Sequence, residues 1–138
     1  MERKKIHIST LIDAPVAQVW EAYNNPEDIT QWNQASPDWH CPSSENDLRV
    51  GGTFKNKMAA KDGSFAFDFE GTYTAVAPQQ SLSYVLGDER TATVNFEDKN
   101  GKTQIDVDFD AESTNPEDMQ RDGWQAILNS FKQYVENK

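Results

Sequence analysis

The chain is poor in several things at once. It has a single cysteine, Cys41, and two histidines. An internal disulfide needs two cysteines, and a multi-cysteine metal site needs more. No run of apolar residues exceeds three, so the sequence offers neither a signal-peptide core nor a membrane-spanning helix. A cytoplasmic location is the expectation. Positive charge is also scarce: 13 Lys and Arg face 23 Asp and Glu, for a net charge of −10. An acidic surface repels phosphate backbones and anionic lipid, which argues against nucleic-acid and membrane partners. Apolar residues make up 36%, a lean share, yet four Trp, four Tyr and seven Phe are too many aromatics for a disordered chain. At 138 residues the length suits one domain, residues 1–138, able to bury about two-thirds of its unfolded surface.

Alternation of Ile6 and Ile8 with His7 and Ser9 predicts a first strand, roughly 3–13. Pro15 suits a first helical turn, and Val16, Val19, Trp20 and Tyr23 then fall on one helical face ending near Asn24. Asn25-Pro26-Glu27-Asp28 reads as a helix start: asparagine caps, proline fits the first turn, and the acids favour the positive helix end. The same four residues recur at Asn115-Pro116-Glu117-Asp118. Their flanks share nothing, so they are two independent starts. The first predicts a brief helix to about Trp32. Residues 33–44 lack periodicity and hold two prolines, predicting a long loop suited to a lid or binding role.

From Glu45 the pattern is strands and turns. Leu48 and Val50 are assigned to one strand, broken by Gly51-Gly52. Asp62-Gly63 marks a hairpin, after which Phe65, Phe67 and Phe69 alternate with Ala66, Asp68 and Glu70. Leu82, Tyr84 and Leu86 alternate next, as do Ile105, Val107 and Phe109. Such short strands imply an antiparallel meander. The longest helix is expected over about 116–136, with Trp124, Ile127, Leu128, Phe131, Tyr134 and Val135 on its apolar side. Gly123 costs that helix about 1 kcal/mol relative to alanine, which a close approach to the sheet or a ligand could offset. The resulting fold class is α+β, with a curved antiparallel sheet of about six to seven strands wrapped around a long C-terminal helix. Two short helices follow the first strand.

Particular segments carry a resemblance. Ala14-Pro15-Val16 with Val19-Trp20, Asp47-Leu48-Arg49-Val50-Gly51-Gly52-Thr53-Phe54, Glu70-Gly71-Thr72-Tyr73, and Gly123-Trp124 with Leu128 resemble the helix-grip superfamily called START-like or SRPBCC. Within it the chain resembles the bacterial family named for homology to the activator of the heat-shock-protein-90 ATPase. The resemblance spans nearly the whole chain and implies a helix-grip fold with a cavity between sheet and helix. It implies no single activity, since superfamily members bind lipids, hormones or polyketides and some are enzymes.

Several residue groups could carry chemistry. Asp106, Asp108 and Asp110 with Glu117 imitate a calcium loop, but Ala111 stands where that loop needs glycine, and Ile105, Val107 and Phe109 alternate with the acids as a strand does. A solvated strand face is the better account. His40 and Cys41 are adjacent, so on an extended chain they point to opposite sides and His40 is badly placed to activate Cys41; a packing or pocket-wall role fits better, with a ligand-orienting contact as the alternative. Zinc wants about four ligands, and Cys41, His40 and His7 supply three. No metal and no cofactor are expected. Arg49, Glu70 and Arg90 fit surface ion pairs better than polar anchors in a cavity, though both readings stand. Lys55, Lys57 and Lys61 form a small basic cluster on a solvent-facing strand and turn.

The function expected is binding of an apolar or amphipathic small molecule between the C-terminal helix and the sheet, under the 33–44 loop. The expected lining is Trp32, Trp39, His40, Phe67, Phe69, Tyr84, Trp124 and Leu128. Two alternatives remain: a protein-interaction module, as a homodimer or chaperone cofactor, and an enzyme on the same scaffold. The second needs a polar constellation that spacing alone does not reveal.

Overall fold

The β1 strand (Lys5–Ile12) shows how the sheet is built. Ile6, Ile8 and Ile12 are buried while Lys5 and His7 point outward, because successive side chains on a strand alternate between faces. The computed structural model describes residues 4–87, 89–112 and 115–137. After β1 come α1 (Val16–Asn24), α2 (Pro26–Trp32), β2 (Trp39–Asn46), β3 (Thr53–Ala60) and β4 (Ala66–Ala77). Then follow β5 (Ser81–Leu86), β6 (Thr91–Lys99), β7 (Lys102–Asp110) and α3 (Glu117–Glu136). Among the described residues the sheet has seven strands in the order β1-β7-β6-β5-β4-β3-β2, each pair antiparallel. This is the α+β helix-grip arrangement: a curled meander, two short early helices and a long terminal helix.

One half of the sheet is packed solid. Ile6, Ile12, Val94, Ile105 and Phe109 meet Val19 of α1 and Phe131 and Val135 of α3, all at most 1% exposed. The Thr103 hydroxyl ties this core to the start of α1 by donating to the Ala14 carbonyl at 2.8 Å. The 20-residue α3 helix spans about 30 Å. It runs along β1 rather than across the Phe65–Phe69 strand. Phe65 is consequently 60% exposed and Phe67 46%, and of the three phenylalanines Phe69 meets the helix, through Trp124 at 6.0 Å between ring centres. The β2–β4 half is therefore the open half.

Two expectations about chain path need correction. The irregular loop is shorter than residues 33–44: it spans residues 33–38, and Trp39 already begins β2, which pairs with β3 from Trp39 opposite Ala60. A β-bulge between His40 and Ser43 absorbs Pro42, which has no N–H for the ladder. Leu48 and Val50 lie outside any strand; β2 ends at Asn46, and 47–52 is a tight turn. Gly52 is required there, because a Cβ would stand 2.1 Å from the Asp47 carbonyl oxygen.

Candidate functional site

The open half of the sheet encloses a cavity of about 330 Å³ between its concave face, α2 and α3. That is at the low end of the ~300–1,000 Å³ typical of small-molecule pockets, room for about ten waters. Phe54, Met58, Phe69 and Leu82 face it from the sheet, and Ile29, Trp32, Trp124 and Leu128 from the helices. Close packing fixes these walls. Trp124 stacks on Phe109 at 3.9 Å with the rings within 7° of parallel, and Phe54 meets Tyr84 edge-on at 4.9 Å. Gly71 in β4 leaves room for both neighbours, since a Cβ there would come 2.8 Å from the Val85 carbonyl oxygen and 3.0 Å from the Phe54 ring.

One end of the cavity is polar, and the cause is the end of α1. The last carbonyls of a helix have no intrahelical partner. Asn24 Nδ2 donates to the Trp20 carbonyl at 2.9 Å, and Asn46 Nδ2 donates to the Asn24 carbonyl at 2.6 Å. Asn46 Oδ1 in turn accepts from the Tyr73 hydroxyl at 2.6 Å. The glycine turn positions this tyrosine: Gly51 N–H donates to the Tyr73 carbonyl, and Tyr73 N–H to the Gly52 carbonyl, each at 2.9 Å. Asn56 adds a fourth polar group, its Oδ1 accepting from Ser44 Oγ at 2.6 Å. Asn24, Asn46, Asn56 and Tyr73 all line the cavity, with Tyr23 and Tyr84 beside them.

Dehydration governs the acid–base state of this end. Burial pushes the Tyr84 phenol well above its ordinary value, and a charge on Tyr23 or Tyr73 would push it further, against a lowering by Arg90. Tyr23 is raised by burial and then by Tyr73. Tyr73 is pushed up to about 12 by burial, although its bond to Asn46 works the other way. All three phenols are therefore neutral hydrogen-bonding groups at neutral pH. Elsewhere on the wall, Arg90 and Glu112 form an ion pair at 3.9 Å.

Six of the eight residues expected to line a pocket do so: Trp32, Phe67, Phe69, Tyr84, Trp124 and Leu128. Trp39 and His40 do not face the cavity. With β2 starting at Trp39, the indole turns instead to Phe65 and Phe67, at 6.1 and 6.0 Å, on the outer rim. The expected close approach of Gly123 to the sheet also fails: among the described residues a Cβ there would meet nothing within 4 Å, so no contact of helix with sheet demands glycine. The polar end was not foreseen. Tyr23 belongs to the α1 stripe that reads as core, and Asn24, Asn46 and Asn56 carry no motif. Arg90 was open to two readings, and it is both an ion-pair partner and a cavity wall.

The other chemistry-bearing residues lie elsewhere. Cys41 is buried and donates to the Ser43 carbonyl at 3.3 Å; burial pushes its thiol up, against hydrogen bonds from Ser43 and Asn33. His7 sits on the exposed face, bonded to Asp108 at 2.8 Å and 3.4 Å from Asp106. Those two acids are thus on the solvated strand face. Arg49 pairs with Asp47 at 2.9 Å, and Lys55 with Asp68 at 3.8 Å, both exposed. Among the described residues no three His, Cys, Asp or Glu come together as metal ligands, and no helix is long and apolar enough to cross a membrane.

Comparison with known proteins agrees with this fold. A solution structure of an AHSA1-like protein from Aeromonas hydrophila is 46% identical, with a TM-score of 0.91 over 97% of this chain and 93% of that one. The solution structure of Chr148 from Cytophaga hutchinsonii is 47% identical, with a TM-score of 0.84 over 96% and 92%. The crystal structure of NE0264 from Nitrosomonas europaea, at 18% identity, shares the fold with a TM-score of 0.83 over 96% and 94%. No curated protein matches the chain. The model of the family "Activator of Hsp90 ATPase homolog 1-like protein" matches residues 13–136, and the chain therefore belongs to that family, on a START-like helix-grip fold.

Proposed function

We propose that this protein binds an apolar or amphipathic small molecule in the cavity between the concave sheet, α2 and α3. The observation that carries the reading is the composition of the cavity's walls: aromatic and aliphatic side chains over most of its surface, with a few hydrogen-bonding groups, of which Asn24, Asn46 and Tyr73 form one connected set. Burying about 300 Å² of apolar ligand surface contributes about 7.5 kcal/mol, and the lost freedom of the ligand brings the net to sub-millimolar affinity. An NMR titration with small neutral naphthalenes tests this. Amide shifts should concentrate on Phe54, Leu82, Trp124 and Leu128, and Ile127→Trp, which fills the space from α3, should abolish them. Shifts scattered over the outer face, or unchanged binding by the filled variant, would refute the proposal.

The exposed Phe65 and Phe67, with half-buried Trp39 beside them, favour a second reading, self-association through the β2–β4 rim. Sedimentation velocity of the wild type and of Phe65→Ser distinguishes it: a dimer that the substitution dissociates supports this reading, and a monomer in both removes it.

A further inference from the structure

Tyr23 and Tyr84 both line the cavity, and Tyr84 is 6% exposed. Their rings are held firmly. Tyr23 stacks on Trp32 at 5.4 Å and meets Phe131 edge-on at 5.2 Å, while Tyr84 is set by Phe54 and, at 6.4 Å, by Phe69. Tyr73 gives its proton to Asn46. Among the described residues the hydroxyls of Tyr23 and Tyr84 take no such protein partner, yet no sealed polar side-chain atom lacks one. The two hydroxyls therefore open on the cavity space. A hydroxyl taken out of bulk water and left unbonded is costly, and phenylalanine would pack the same walls without that cost. Two hydroxyls that make no bond within the fold, on rigidly packed rings that line the same cavity, are groups waiting for a ligand atom.

We propose that the hydroxyls of Tyr23 and Tyr84 form a hydrogen-bond-donor cradle for a ligand that carries a neutral carbonyl group. This rests on the reading of the cavity as a small-molecule site and names the chemistry it selects. A phenol donates better than it accepts, because its oxygen lone pair is drawn into the ring, so the complementary group is an acceptor. The same dehydration that keeps these phenols protonated works against an anion beside them. The positive charge of Arg90 works the other way at Tyr84, but burial outweighs it there, and Glu112 stands 3.9 Å from the guanidinium. A ketone or similar carbonyl on an apolar body fits these terms, and a carboxylate does not.

Three probes of nearly one shape test the cradle: naphthyl methyl ketone, isopropylnaphthalene and naphthoate, titrated by NMR into wild type, Tyr23→Phe and Tyr84→Phe. Wild type should bind the ketone several-fold more tightly than the hydrocarbon and bind naphthoate most weakly. Each variant should weaken ketone binding roughly two- to tenfold and leave the hydrocarbon unchanged. Both variants should melt at or above the wild-type temperature, since no bond within the protein is lost. Equal binding of ketone and hydrocarbon, or variants that bind the ketone as wild type does, would overturn the cradle while leaving the cavity reading intact. Tightest binding of naphthoate would overturn the neutral-carbonyl assignment. A lowered melting temperature in either variant would assign its hydroxyl to the fold. If no probe binds at the cavity walls, the cavity reading falls and the cradle with it.

Discussion

At Asn25-Pro26-Glu27-Asp28 the asparagine side chain accepts the Glu27 N–H at 3.0 Å, and α2 begins at Pro26. At Asn115-Pro116-Glu117-Asp118 the same four residues start α3 one position later, with Pro116 in the cap position and no side-chain cap. The Asn115 side chain goes instead to Glu112. Gln120 ties the segment before the helix to its first turn: its Oε1 accepts the Glu112 N–H at 2.8 Å, and its Nε2 donates to the Glu112 and Asn115 carbonyls at 3.2 and 2.7 Å. The acids diverge as well. Asp28 is buried and accepts the Tyr134 hydroxyl at 2.5 Å, joining α2 to α3, whereas Asp118 is exposed and pairs with Arg121 at 3.2 Å. A local pattern starts a helix in both places, and the packing against that first turn decides what its side chains are for.

Breaking the contrast should give a graded series of stability losses, read by urea unfolding. Asp28→Ala should be the largest, about 2–3 kcal/mol, because it removes a charged hydrogen bond and leaves a partly buried hydroxyl behind. It also loosens α2, one wall of the cavity. The Asp28 contact carries a pH signature: the hydrogen bond from Tyr134 to Asp28 is the main cause that raises this phenol to about 12. A raised phenol stabilises the fold fully below its unfolded value near 10 and loses that contribution as pH rises towards about 12. Tyr134→Phe should flatten the part of the alkaline stability loss that belongs to this residue.

Gln120→Ala should follow, at about 1–2 kcal/mol, since three backbone groups must find water instead. Asn25→Ala should cost about 1 kcal/mol, the usual worth of a side-chain cap. Asn115→Ala sharpens the comparison: as it caps nothing, its loss should stay below that of Asn25→Ala, and equal losses would show that the two starts work alike. Asp118→Ala should fall within about 0.5 kcal/mol of wild type, as an exposed ion pair contributes little.

The cavity was legible where strand parity decides it. The alternation of Phe67 with Phe69 and of Leu82 with Tyr84 puts each pair on one face, and both pairs line the cavity. It was illegible where a boundary decides it. Reading 33–44 as one loop let Trp39 and His40 fold inward, but pairing with β3 fixes Trp39 opposite Ala60 and turns it to the rim. Likewise Gly123 carries no sign, in one dimension, of whether its missing side chain faces the sheet or open space.

Periodicity and turn residues alone determined the order of the elements, the antiparallel meander, the long apolar helix and the phenylalanine faces, because each is a relation between residues a few positions apart. Tertiary structure alone decided the polar end of the cavity. Tyr23 and Asn24 at the close of α1, Asn46 on β2, Tyr73 on β4 and Tyr84 on β5 are scattered along the chain and carry no shared pattern. They meet because the open carbonyls at the end of α1 need donors, and sheet curvature brings Asn46 and Tyr73 there to meet that need. A hydrogen bond between residues 22 positions apart is a property of the folded register, and no window on the sequence contains it.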